Sequence, residues 1–477
     1  MLQSVGFWAA AVSVVYCLGI LNALHALMTV RTSQGTIAWA IALLSLPLVA
    51  IPLYWVFGRN KFHGYRQLLR QGQEQNQEIV NRLVDNLSEF VVPVGSQTNP
   101  FLHALNGLTR NKFIKGNEAQ LLIDGAKTFD SIFAAIEQAT DYVLVQFFII
   151  KDDDIGRELK RRLIAKSRDG VRCFVLYDEI GSLTLPQAFI DELRQSGVEV
   201  EAFKTTKGFS NRFQINFRNH RKIVIADGKV AFVGGHNVGD EYLGRDKNFG
   251  RWRDTHVRLV GPVVLPIQIV FLQDWYWATE RLLEVNLDPE LSPEGDIDVL
   301  TLPSAPVDEI EACTLFFLTA INNAQEKLWI ASPYFVPDEA ISTALQMAAL
   351  RGVDVRILIP SKPDHLMVYL AAFSYLQEME IAGVKVFRYE SGFLHQKVLL
   401  VDDTLASVGT ANLDNRSFRL NFEISMVFAN QRFVKSVESM LLDDFDQAVL
   451  ASYDDYQRRW LGFKFGVRVA RLLSPIL

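Results

Sequence analysis

Two stretches of this 477-residue chain repeat one pattern of side chains. NHRKIVIADGKVAFVGGHNVGD carries His220, Lys222 and Asp227, and FLHQKVLLVDDTLASVGTANLD carries His395, Lys397 and Asp402. Each later residue lies 175 positions after its counterpart (220 to 395, 222 to 397, 227 to 402). The same step relates Gly234 to Gly409 and Asn237 to Asn412. A lone His-x-Lys-x4-Asp string recurs by chance, and either histidine alone would read as a satisfied strand residue. Two copies with matching Gly and Asn do not arise that way. A chain built like this folds into two like halves, each carrying half of a site.

The residues around the motifs state what that site can do. KVLLVD and KIVIAD are aliphatic runs that end in turn signals, Asp402-Asp403 and Asp227-Gly228, so each reads as a buried strand. Residues i and i+2 share one strand face, which points each His and its Lys into the same cleft. An imidazole beside a fixed cation suits a phosphate ester: the lysine neutralises the anion while a neutral imidazole attacks phosphorus. Glycines on the following strand let backbone approach phosphoryl oxygens. Asp227 and Asp402 sit at turns and shape the loop more than they join the reaction.

The duplicated pattern resembles the signature of the phospholipase D superfamily. Along nearly its whole length the chain is similar to the bacterial cardiolipin synthases of that superfamily. The resemblance implies an α/β fold in which two phospholipase D-like domains, related by a pseudo-two-fold, share one active site. It implies phosphatidyl transfer between two phosphatidylglycerols, giving cardiolipin and glycerol, with no redox cofactor and no metal. His220, Lys222, Asp227, His395, Lys397 and Asp402 are then the catalytic set. His220 is the expected nucleophile, forming a phosphohistidine, and His395 the acid that protonates the leaving alcohol. Asn237 and Asn412 are assigned to substrate binding. Asp254 and Glu423, each just ahead of an alternating strand, match the family's acids that orient the histidine of their own half; a surface carboxylate is the plainer reading. His236 and His256 lack the lysine grammar and read as structural. A hydrolytic phospholipase D, another phosphatidyltransferase and a non-catalytic membrane scaffold remain alternatives, the last disfavoured because both motifs are intact.

The remaining chain sets the context. Residues 6–30 and 36–57 contain no Asp, Glu, Lys or Arg, and each is long enough to cross a bilayer core. MLQSVG lacks the basic start of a signal peptide, so residues 1–63 read as an anchor of two transmembrane helices. Arg59, Lys61, Arg66 and Arg70 crowd the exit, against Arg31 in the connector, which puts the bulk on the cytoplasmic side of the inner membrane. Residues 64–100 read as a helical linker, 101–285 and 286–455 as two alternating α/β domains, and 456–477 as a basic amphipathic tail. That tail is either interfacial or packed on the body. Between the last helix of the three-strand run and the motif, the first half carries about eleven more residues than the second, including Lys204, Lys207, Arg212 and Arg218. They read as a solvated loop or as a basic rim for anionic headgroups. The net charge of −6 gives no signal for nucleic acid, and three scattered cysteines give neither a metal spacing nor a disulfide framework. Phosphatidylglycerol and membrane lipids are the expected partners; the oligomeric state is not legible.

Overall fold

A computed structural model describes residues 2–30, 32–58, 62–95, 99–208 and 211–477. Its centre is one continuous mixed sheet of sixteen strands. The first half contributes β1 (Ile114–Ile123), β2 (Tyr142–Phe147), β3 (Arg172–Asp178), β4 (Glu199–Phe203), β5 (Ile223–Ala226), β6 (Val230–Gly234) and β7 (Thr255–Val260). The second contributes β8 (Ile297–Ser304), β9 (Lys327–Ala331), β10 (Asp354–Pro360), β11 (Lys385–Tyr389), β12 (Val398–Val401), β13 (Leu405–Gly409) and β14 (Asn421–Phe428).

From the middle outward the first half runs β1, β7, β6, β5, β2, β3, β4, and the second β8, β14, β13, β12, β9, β10, β11. The order and the sense of these pairings match between halves; two short strands, Arg218–Asn219 on β14 and Ala448–Leu450 antiparallel on β11, complete the sixteen. Antiparallel pairs lie at the centre and two parallel pairs outside, β2·β3 and β3·β4 against β9·β10 and β10·β11. The halves meet where β1 pairs antiparallel with β8. Helices cover the outer parallel strands, as right-handed crossovers require. Asp154–Arg168 is capped by Asp153, and Glu339–Leu350 by Asp338. The seam strand β1, with Gly116 and Asn117 inside a polar run, was not foreseen. Nor were the helices Val264–Thr279 and Ala312–Asn323. Cys173 and Cys313 are buried, while Cys17 lies exposed on the first helix.

The anchor departs from expectation in its second segment. Leu2–Thr29 is one unbroken helix, and Phe7–Thr29 is long and apolar enough to cross a membrane. Residues 36–57 do not form one helix. Ser33–Ser45 ends at Leu46 (φ −133°, ψ 56°), Pro47–Leu53 follows, and Tyr54–Gly58 is a π-turn. Proline bars the residue before it from helical geometry, and Leu46 precedes Pro47. The pieces are braced to the first helix by His25 Nδ1 against Tyr54 Oη at 2.7 Å and by Trp55 Nε1 donating to Asn22 Oδ1 at 3.0 Å. Of the cations behind the topology argument, Arg31, Arg59 and Lys61 lie outside the described residues. Arg66 is engaged with Glu309, and Arg70 lies 3.6 Å from the same carboxylate. The linker helix is two, Tyr65–Gln75 and Gln77–Ser88, broken at Asn76. The tail is packed: Leu461–Leu472 buries Val467 and Ala470, and its Phe463 meets Phe373 edge-on at 5.0 Å.

Candidate active site

Each histidine is placed by a short strand of its own half that pairs with the other half. Arg218–Asn219 pairs parallel with the start of β14, and His220 N donates to Phe422 O at 2.9 Å. Phe393–Leu394 pairs parallel with Trp252–Arg253, and His395 N donates to Arg253 O at 2.8 Å. Each pairing carries a carboxylate to the opposite imidazole. Glu423 lies 2.9 Å from His220 Nδ1, and Asp254 lies 2.7 Å from His395 Nδ1. The acids therefore orient the histidine of the other half, which corrects the expectation that each serves its own. Neither is a surface carboxylate: both are fully buried.

The lysines follow the motif. Lys222 Nζ donates to His220 O at 2.7 Å, and Lys397 Nζ donates to His395 O. Both histidines and both lysines are buried, and each lysine's charge bears on the opposite histidine, so the two motifs share one site. Burial pushes His220 down to about 4 and His395 well below its ordinary value. Burial likewise lowers Lys222 to about 7 and Lys397 to about 8. Burial thus favours neutral imidazoles and reduced charge on the two lysines. Aromatic rings wall it: Phe148 meets His220 at 5.1 Å, while Trp252 and Tyr242 meet His395 at 5.1 and 6.0 Å.

Asp227 and Asp402 do not join this cluster. Each sits five residues past its lysine, about 17 Å along an extended strand. Asp227 (φ 54°) accepts from Thr140 N, Asp141 N and Tyr142 N, and Asp402 (φ 50°) from Gln325 N, Glu326 N and Lys327 N. They clamp the turn onto the start of the neighbouring strand, so both are structural residues and not members of the catalytic set. Asn237 is likewise committed: its Oδ1 accepts from Ile149 N, and its Nδ2 donates to Tyr242 Oη. Asn412 is buried with its Oδ1 lacking a hydrogen-bond partner among the described residues. His236 and His256 form a buried pair, Nδ1 to Nδ1 3.1 Å, as structural residues do.

Sequence reasoning missed the groups around the acids. Glu423 also accepts from Thr410 Oγ1 (2.6 Å), Ser417 Oγ (2.8 Å) and Asn421 Nδ2 (3.0 Å). Burial alone would raise this carboxyl, but His220, Lys222 and the Thr410 hydroxyl outweigh it and hold it low. The 175-residue step that aligns the motifs pairs Thr410 with Gly235, and that alignment was the available signal. Behind the motifs, Arg221 binds both oxygens of Asp274 at 2.8 Å, and Arg253 with Gln396 binds Asp444. Among the described residues, no three His, Cys, Asp or Glu side chains are grouped to hold a metal ion.

Two half-sites on a duplicated α/β sheet, each with a histidine, a lysine and a carboxylate lent by its twin, define a phospholipase D-like protein. The match to known families agrees. The profile described as cardiolipin synthase, phospholipase D-like domain, covers residues 132–252 and 317–444, and a phospholipase D-nuclease N-terminal profile covers 9–59. Cardiolipin synthase A of Pseudomonas entomophila (strain L48) is 49% identical over 473 residues, 99% of this chain and 98% of that one. Cardiolipin synthase A of Pseudomonas putida (strain GB-1) matches at the same identity and coverage. A phosphatidylserine synthase from Haemophilus influenzae shares the fold, with a TM-score of 0.62 at 16% identity over 80% of this chain and 100% of that one. The chain belongs to the cardiolipin synthases of the phospholipase D superfamily, a family of phosphatidyltransferases.

Proposed function

We propose that this protein transfers the phosphatidyl group of one phosphatidylglycerol to a hydroxyl of a second, forming cardiolipin and releasing glycerol. The observation that carries the reading is the pair of imidazoles held through Nδ1 by exchanged carboxylates, with a lysine beside each. A carboxylate on Nδ1–H leaves Nε2 as the reacting nitrogen in both rings. Nε2 of neutral His220 attacks phosphorus, the bond from phosphorus to the glycerol oxygen breaks, and protonated His395 gives that oxygen its proton. His395 then takes the proton of the second lipid's hydroxyl, whose oxygen attacks phosphorus as the bond to His220 breaks. Lys222 and Lys397 balance the phosphoryl oxygens, and the incoming anion favours a proton on His395. Choosing His220 as nucleophile follows the superfamily resemblance. His220 and His395 are buried, 8% and 7% exposed, and transfer over hydrolysis requires that a lipid hydroxyl reach the phosphoryl group more readily than water does.

The same reading divides the chain into an anchor (1–63), a linker (64–100), two catalytic domains (101–285 and 286–455) and a tail (456–477). It lets both apolar segments cross the inner membrane, with the catalytic halves cytoplasmic. The test is incubation of purified protein with head-group-labelled phosphatidylglycerol, resolving all products. Cardiolipin and free glycerol in equal amounts support transfer. Phosphatidic acid as the main product would establish hydrolysis instead. Trapped adduct on His395 rather than His220 would reverse the two roles.

A further inference from the structure

The stretch leaving the membrane anchor does not pass the catalytic body at a distance; it is built into it. Tyr65, 4% exposed, donates from Oη to Asp274 Oδ1 at 2.7 Å. Asp274 sits fully buried on the Val264–Thr279 helix and also accepts from Gln146 Nε2 (2.7 Å), Asn219 Nδ2 (2.8 Å) and Arg221 Nη1. Asn219 and Arg221 flank His220 on either side. Arg221 Nε continues to the main-chain oxygen of Glu423 at 3.1 Å, the residue whose carboxylate holds His220. One carboxylate thus grips both neighbours of the histidine and, through Arg221, the strand bearing its acid.

The other half is made differently. Its matching acid, Asp444, receives two nitrogens of one guanidinium, Arg253 Nε at 2.6 Å and Nη2 at 2.8 Å, with Gln396. In the first half Arg221 offers Asp274 a single nitrogen, so the buried charge depends on neutral donors, the phenol among them. Burial, then the nearby Asp274 charge, raises Tyr65 well above its ordinary value and keeps it a donor.

The extra residues of the first half secure this arrangement. Asn211 clasps the main chain of His63, with Nδ2 donating to its oxygen at 2.8 Å and Oδ1 accepting from its nitrogen at 3.2 Å. Phe62 packs edge-on against Phe217, Trp277 and Phe422 at 5.3 to 5.5 Å, and Trp55 stacks on Phe213. Lys207 is tied to Trp277 O and Glu280, and Arg218 is half-buried and donates to Phe217 O, while Lys204 and Arg212 are exposed.

We propose that residues 62–65 are a working part of the first half-site, with Tyr65 a positioning residue for His220 and Glu423. This rests on the phosphatidyl-transfer reading above. Seating the stem completes the polar cluster behind the histidine, so anchoring and activity are coupled through contacts as well as through proximity to lipid.

The test uses the full chain in detergent micelles, assayed with phosphatidylglycerol across pH. Tyr65→Phe removes one hydroxyl and no ring packing. The expected result is a fall in kcat of about ten- to a hundredfold, with KM changed less than about twofold and the acid limb of the kcat–pH profile displaced. Unchanged kcat, or kcat and KM shifting together with the same pH profile, would overturn the proposal. If Tyr65→Phe yields little folded protein, Asn211→Ala, which releases the stem main chain and leaves every donor to Asp274 in place, is read the same way. A wild-type protein that makes no cardiolipin would instead refute the transfer reading, a result separable from any effect at Tyr65.

Discussion

Glu423 holds His220 from 203 residues farther along the chain, with its carboxylate 2.9 Å from Nδ1, and the reciprocal pair joins Asp254 to His395. Neither half owns a complete histidine–acid pair. Glu423→Gln should therefore lower kcat by about 10²- to 10⁴-fold, because the ring loses its fixed tautomer and its counter-charge. Asp254→Asn should do the same. Cardiolipin formation measures the loss, and an unchanged thermal unfolding midpoint would separate it from misfolding.

How much of this was readable in advance differs by residue. His220, Lys222, His395 and Lys397 were legible because their strands are local and both copies keep one step. Asp254 and Glu423 were legible as positions, but their exchange was not, since it depends on two short strands pairing across halves, Arg218–Asn219 with β14 and Phe393–Leu394 with Trp252–Arg253. Asp274 was invisible: it is a lone acid in the apolar run VLPIQIVFLQDWYWAT, outside both motifs and with no partner near it in sequence. The kink at Leu46 was in view as Pro47, yet hydrophobic length alone argued for one continuous helix.

Phosphate binding should take up protons. Lys222 near 7 and Lys397 near 8 are partly neutral at pH 8, and an anion between them raises both. Titrating inorganic phosphate calorimetrically at pH 8, in two buffers of different ionisation enthalpy, should reveal uptake approaching about one proton. Lys397→Met should reduce it. Equal apparent heats in both buffers would contradict the lysine assignment.

Stability should fall on acidification. Burial first holds His220 at about 4, His236 and His256 at about 3, and His395 well below its ordinary value. The native state therefore binds fewer protons than the unfolded chain, whose imidazoles titrate near 6.5. Their contribution is whole above pH 6.5 and drains as pH falls toward 4. Asp178, raised by burial to about 6, and Asp298, Asp308 and Asp414, also raised by burial, act in the opposite direction, while Asp227, Asp354 and Glu423, held low, act with the histidines. The unfolding midpoint in micelles should drop between pH 7 and 5, and drop less in His236→Gln.

The C-terminal helix should bind membrane with one edge while packing with the other. Trp460, Leu461, Phe465 and Leu472 are all exposed beside Lys464 and Arg468. Val467 and Ala470 face the body, and Arg416 donates to Ile476 O. Trp460→Ala with Phe465→Ala should weaken binding to phosphatidylglycerol vesicles by about tenfold without shifting the unfolding midpoint. Truncation after Tyr456 should lower that midpoint. Vesicle sedimentation and calorimetry distinguish the two.

A reporter fused after Leu477 that is active only in the periplasm should stay silent in intact cells, since basic residues gather beyond the second apolar segment. Reporter activity there would invert the topology.

Position 235 constrains how the twins could drift apart. A Cβ there would lie 1.9 Å from Asp254 Oδ1, so the carboxylate occupies the space a side chain would need. Its counterpart Thr410 instead spends a hydroxyl on Glu423. Glycine goes with the short acid and threonine with the longer one, as matched sets. A threonine at 235 beside Asp254 would collide with its carboxylate, and a glycine at 410 would deprive Glu423 of a hydroxyl donor. A change toward symmetry at either position therefore bears directly on the acid beside it.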